Sequence, residues 1–175
     1  MGYAGGETAN PTYQRIGDHT ETIEIEFDPE QISFEELLEY FWEWHNPMIR
    51  SWARQYQSIL FYHDETQKEA VESFLQQKEE TADRQVYTWV RPMDAFYTAE
   101  NYHQKYYLQN RQMVFDSVRQ LYPTIDVFFD STTAARLNAY VMGFGTAGQL
   151  EKDLEMMQLP EEVERQVRAV TDSYF

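Results

Sequence analysis

The sequence predicts an α+β protein, a small sheet with helices packed on one face, followed by an all-helical C-terminal stretch. Three observations lead there. Segments of alternating apolar and polar residues recur in the first hundred positions, helix-start signals stand between them, and beyond about residue 109 only helical patterns remain.

Residues 20–27, TETIEIEF, place Ile23, Ile25 and Phe27 on one side and Glu24 and Glu26 on the other, the pattern of a half-buried strand. Asp28-Pro29 closes it. Ser33 with Glu36 forms a capping box ahead of FEELLEYFWEWH, where Phe34, Leu37, Leu38 and Phe41 share a helix face. QYQSILFYH, 55–63, reads as a second strand, and Asp64 with Gln67 opens a helix carrying Ala70, Val71 and Phe74. VYTWVRPM, 86–93, is a third strand ended by Pro92, and AENYHQKYYLQ reads as a short helix. RQMVFDSVRQLYP and STTAARLNAYVMGFG follow as helices, the latter with Asp130 or Ser131 as N-cap and Gly143 at the C-cap. Thr146 with Gln149 starts a helix over LEKDLEMMQL, Pro160 interrupts, and EEVERQVRAV ends the chain amphipathically. The division expected is one domain over 1–108 and a helical extension over 109–175.

Hydrophobic residues make up 42% and aromatics 16%, enough for a packed core in 175 residues. A net charge of −16 argues against nucleic acid and anionic membrane surfaces as partners, since both repel it. No apolar run approaches the roughly 18 residues of a membrane span, so a cytoplasmic location is expected. Cysteine is absent, which removes disulfides, thiolate metal sites and thiol chemistry from these residues. The remaining candidates for chemistry are Tyr13, His19, Glu21, Tyr56 and His103. Each has an ordinary explanation: a solvated carboxylate for Glu21, core or interface packing for the tyrosines. His45, at a helix end, most simply caps the last carbonyls. His19 and His103 lack further ligands at metal-binding spacing, so no metal is expected. Composition and spacing alone give an α+β domain and no function.

Read together, the segments say more. GYAGGETANPTY at 2–13, GDHTETIEIEF from Gly17, RQYQS from Arg54, and FYTAENYHQKYY from Phe96 resemble, in order, the A-type peptide-methionine (S)-sulfoxide reductases. The resemblance spans about residues 2–108, and the helical tail looks like that of a longer branch of the same family. It implies a ferredoxin-like two-layer sandwich and reduction of (S)-methionine sulfoxide, free or in proteins, to methionine. A cysteine thiolate attacks the sulfoxide sulfur and becomes a sulfenic acid, which thioredoxin or another thiol reduces. A carboxylic acid and two tyrosine hydroxyls protonate and bind the oxygen. Carried over by motif, the acid is Glu21 and the tyrosines are Tyr13 and Tyr56; no metal or organic cofactor is implied.

Two departures stand out. The family's Gly-Cys-Phe-Trp motif, which precedes GYAGG by one strand-helix unit, is absent, so the sandwich is expected to lack its first strand and helix. Loss of a nucleophile costs a factor on the order of 10⁶ in turnover, and the chain as it stands is expected to be inactive. Met1 occupies a position where relatives have valine or another small residue, which suggests a start misplaced at a GTG codon. The alternative is a cysteine-free pseudoenzyme or interaction module that binds methionine sulfoxide or a protein partner. The second departure is the loop before Gln55-Tyr56, which reads MIRSWAR where many members have Gly-Asn-Asp.

Overall fold

A computed structural model describes all residues, 1–175. The fold is α+β, and the chain divides into two compact units, Met1–Glu100 and Asn101–Phe175. In the first, β1 (Gly2–Ala4) lies between β2 (Thr20–Thr22) and β5 (Phe96–Thr98), antiparallel to both. A separate parallel pair joins β3 (Ile59–Tyr62) to β4 (Trp89–Pro92), with Ile59 opposite Trp89. The connection between them is α2 (Glu65–Thr81), as a parallel pair requires. It packs beside α1 (Phe34–Glu43), and Leu38, Val71 and Leu75 form the core with Phe34, Trp42, Leu60, Phe74 and Val90 around them.

The helix starts are where local chemistry puts them. Ser33 and Glu36 form the full reciprocal capping box of α1, and the Asp64 side chain accepts from the Gln67 amide at α2. His45 ends α1: its Nδ1–H donates to the Phe41 carbonyl at 2.5 Å, which leaves Nε2 to accept from the Thr88 hydroxyl at 3.0 Å.

The strands depart from expectation. Strand pairing for TETIEIEF stops at Thr22, because β1 offers only three residues opposite it; Ile23 and Ile25 beyond it are 71% and 54% exposed. The segment expected as one strand over 55–63 splits into a 3-10 turn, Arg54–Tyr56, and β3. AENYHQKYYLQ likewise breaks, at Lys105 with φ 45°, into a 3-10 turn over Asn101–His103 and α3 (Tyr106–Gln109).

The second unit is helical. α4 (Gln112–Arg119), α5 (Ile125–Phe129), α6 (Thr132–Tyr140), α7 (Ala147–Met157) and α8 (Glu161–Thr171) follow α3. They enclose a core that includes Leu108, Val118, Phe128, Leu137, Leu154 and Val167. Within it Asp153 receives the Tyr140 hydroxyl at 2.6 Å and pairs with Arg136, so a buried carboxylate is matched by two donors. Burial and that hydrogen bond push the Tyr140 hydroxyl up to about 12. No helix is long and apolar enough to cross a membrane.

Candidate active site

The glycine-rich start of the chain is a strand and then a turn, and a set of buried polar side chains fixes the turn. Gly5 turns with φ 77°, where a Cβ would lie 2.7 Å from Phe61 Cζ, so only glycine fits. His19 is fully buried beneath the turn: Nδ1 accepts from the Gly6 amide at 3.2 Å and Nε2–H donates to the Thr8 carbonyl at 2.8 Å. Both ring nitrogens are spent on backbone, which makes His19 a structural residue. The Asp18 carboxylate accepts from the Glu7 amide, the Thr8 hydroxyl and the Thr8 amide, and these donors hold it far below the usual carboxylate range. Arg54 closes the arrangement from the other side. Its Nε donates to the Asp18 carbonyl at 3.0 Å and its Nη2 to the Gly5 carbonyl at 2.8 Å, while the guanidinium lies 4.9 Å over the Trp89 ring.

On this frame the three residues singled out by sequence come together. Glu21 sits in β2 opposite Tyr3, and the Gln55 side-chain amide donates to its Oε1 at 2.5 Å. Tyr56 ends the 3-10 turn, which is tied to β2 by the Thr20 hydroxyl on the Arg54 carbonyl at 2.9 Å. The Tyr56 hydroxyl lies near enough to Tyr13 and Glu21 for both to act on it electrostatically. Burial first, then the neighbouring Tyr13 and Glu21, raise its hydroxyl above the ordinary phenol value, so Tyr56 keeps its proton at neutral pH. Tyr13 and Tyr56 remain 42% and 47% exposed, leaving the cluster open to a ligand from solvent.

Glu100 fixes Tyr13. Its Oε1 accepts from the Tyr13 amide at 3.0 Å and its Oε2 from the buried Tyr3 hydroxyl at 2.7 Å, linking the Tyr13 loop to β1 and the end of β5. Sequence reasoning quoted Glu100, Gln55, Arg54 and Asp18 inside motifs without giving them roles. Their presence in the motifs is the available signal; the partners they hold are 10 to 97 positions away and invisible to periodicity. His103 lies in the second unit, its ring 4.2 Å from that of Tyr102. No group of three or more His, Asp or Glu side chains is arranged to hold a metal ion.

Chemically, the cluster offers two hydroxyl donors and a carboxyl group to one acceptor atom. The amide from Gln55 occupies Oε1 of Glu21 and leaves Oε2 to face a ligand. These 175 residues contain no thiol and therefore no nucleophile of that kind.

Comparison with known proteins gives a consistent result. The family described as peptide methionine sulfoxide reductase matches residues 1–135. A peptide methionine sulfoxide reductase of Drosophila melanogaster is 41% identical over 161 residues, covering 91% of this chain and 64% of the relative. Peptide methionine sulfoxide reductase A5 of rice is 35% identical, over 80% of this chain and 57% of its own length, and MsrA of Sulfolobus acidocaldarius is 39% identical, over 61% and 65%. The chain thus spans less than two thirds of each of these relatives. Among solved structures, Mxr1 of Saccharomyces cerevisiae in reduced form superposes with a TM-score of 0.56 at 28% identity, covering 63% of this chain and 70% of that one. The match of the family model to residues 1–135, more than half of the sequence, shows that the chain belongs to the peptide methionine sulfoxide reductase family.

Proposed function

We propose that this chain supplies the oxygen-binding and proton-donating half of a methionine sulfoxide reductase site, acting on the S epimer free or within proteins. The observation behind this reading is the nearness of Tyr13, Tyr56 and Glu21, three residues from three separate segments, with Glu21 anchored by the Gln55 amide one residue before Tyr56. A sulfoxide oxygen is an acceptor without a proton, and its S–O bond breaks more readily once that oxygen is hydrogen-bonded and protonated. Tyr13 and Tyr56 donate to it, and Glu21 delivers a proton from Oε2. A thiolate attacks the sulfur; the products are methionine and a sulfenic acid on the attacking cysteine, with the proton balancing the transferred oxygen.

The reaction requires a thiolate that these 175 residues do not contain. Thioredoxin or another thiol reductant then regenerates it, and cytoplasmic residence, where such thiols are kept reduced, belongs to the same reading. The chemistry is assigned to 1–108, and none of it to the helical extension over 109–175. The second reading is that these residues, which hold no cysteine, bind methionine sulfoxide or a protein partner without reducing it.

Turnover separates the two. The 175-residue protein is expected to show no reduction of (S)-methionine sulfoxide with dithiothreitol, whereas a form extended upstream to include Gly-Cys-Phe-Trp does. In that form Glu21→Gln is expected to lower kcat by a factor of about 10² to 10⁴, the usual worth of a general acid. Retained turnover in Glu21→Gln removes Glu21 from the mechanism. An in-frame stop immediately upstream of the Met1 codon makes binding without catalysis the correct reading.

A further inference from the structure

Trp52 is 85% exposed, more than any other large hydrophobic residue of the chain. The segment that presents it is pinned on both sides. The Pro47 carbonyl accepts from the Tyr87 amide at 2.8 Å, and the Met48 amide donates to Asn46 Oδ1 at 3.1 Å. Across the tryptophan, the Ser51 hydroxyl donates to the Ala53 carbonyl at 2.7 Å, and that carbonyl also accepts from the Tyr56 amide at the end of the 3-10 turn. A tryptophan held in solvent by a braced backbone forgoes a large gain from burial, and such residues mark places where something else covers the ring. Ile49, 64% exposed, extends the same segment.

The position of the ring narrows what that something is. Its centroid lies 5.4 Å from that of Tyr56, the two planes inclined at 51°. Tyr56 in turn lies near Tyr13 and Glu21, which is held by the neighbouring Gln55 amide. In an extended peptide, side chains two residues apart project from the same face, roughly 6.6 to 6.8 Å from one another. That spacing is of the same order as the 5.4 Å between the Tyr56 and Trp52 rings.

We propose that Trp52 is a specificity-determining residue, a platform for an apolar or aromatic side chain two positions from methionine sulfoxide in an extended peptide. The inference rests on the assignment of Glu21, Tyr13 and Tyr56 proposed above. It selects peptide over the free amino acid, which has no flanking side chain to stack. An acidic flanking residue is disfavoured by the net charge of −16.

The test is fluorescence anisotropy of the 175-residue protein with labelled hexapeptides, Gly-Phe-Gly-Met(O)-Gly-Gly and Gly-Gly-Gly-Met(O)-Gly-Gly, together with their reduced counterparts. The phenylalanine peptide is expected to bind roughly three- to tenfold more tightly than the glycine peptide, the range for one aromatic pair. Trp52→Ala brings that ratio to about one while the affinity of the glycine peptide is unchanged, and Trp52→Phe restores most of it. An unchanged ratio in Trp52→Ala overturns the proposal. So does an equal loss for both peptides, which would mean that Trp52 acts only by holding Tyr56. If the wild-type protein does not distinguish sulfoxide from sulfide in either peptide, the site assignment fails and the platform with it. High exposure of Trp52 makes the alanine variant compatible with folding, checked by circular dichroism.

Discussion

Replacing Glu100 with alanine removes both acceptors that tie Tyr3 of β1 to the Tyr13 loop. Tyr3 is fully buried, so its hydroxyl is left without the carboxylate that satisfied it, at a cost of about 1–3 kcal/mol. The bond to the Tyr13 amide is reached by solvent, and its loss adds only about 0.5–1 kcal/mol. The sum, about 1.5–4 kcal/mol, is a large share of the roughly 5–15 kcal/mol by which domains are stable. Glu100→Gln keeps one oxygen for the Tyr3 hydroxyl and turns an amide donor toward the Tyr13 N–H, so about 1 kcal/mol is lost and the Tyr13 loop loosens. Intrinsic fluorescence during urea unfolding reads this cleanly, because Trp42, Trp44, Trp52 and Trp89 all lie in the Met1–Glu100 unit. A shift below about 0.5 kcal/mol for Glu100→Ala would show that the carboxylate does not bear on the stability of the unit, and would refute its role as the tie.

Gly5→Ala forces φ 77° on a residue with a Cβ and drives that atom against Phe61; strain and overpacking together cost about 2–4 kcal/mol, measurable by the same unfolding curve. The Asp18 carboxyl is held below its unfolded value, so its contribution is complete above the ordinary carboxylate range and is lost as pH falls toward the folded value. Urea midpoints of the wild type are expected to drop from neutral pH to about pH 3 by more than those of Asp18→Asn, and equal slopes would contradict this. Tyr140 is displaced the other way. Its stabilising hydrogen bond to Asp153 is fully present below the ordinary phenol range and is lost as pH rises through about 12, so the last tyrosine step in an alkaline absorbance titration should vanish in Tyr140→Phe.

What the sequence made legible was local. The Ser33–Glu36 box, the Asp64 cap, the Ser131 cap and the Thr146 cap each act over three residues, and each begins a helix in the structure. The strands were harder because pairing, not alternation, decides their extent. β1 and β5 are three residues each and carry no period to detect, and β2 pairs with β1 over Thr20–Thr22 alone. α5 was missed because Pro123 reads as the end of a helix, while the Thr124 side chain immediately caps a new five-residue one. At the site, motif resemblance picked out Tyr13, Glu21 and Tyr56, but not what holds them. Glu100 reaches back 87 positions to the Tyr13 amide, and Gln55 reaches 34 to Glu21; such ties exist only once the chain is folded.

The central claim is that Glu21, Tyr13 and Tyr56 recognise a sulfoxide oxygen in one configuration, and calorimetry with the blocked amino acid tests it most directly. The 175-residue protein should bind N-acetyl-methionine sulfoxide methylamide of the S configuration, bind the R epimer and the sulfide at least about tenfold more weakly, and lose that preference in the Tyr13→Phe, Tyr56→Phe double variant. Equal affinity for the S sulfoxide, the R sulfoxide and the sulfide, or a preference that survives removal of both hydroxyls, would contradict it.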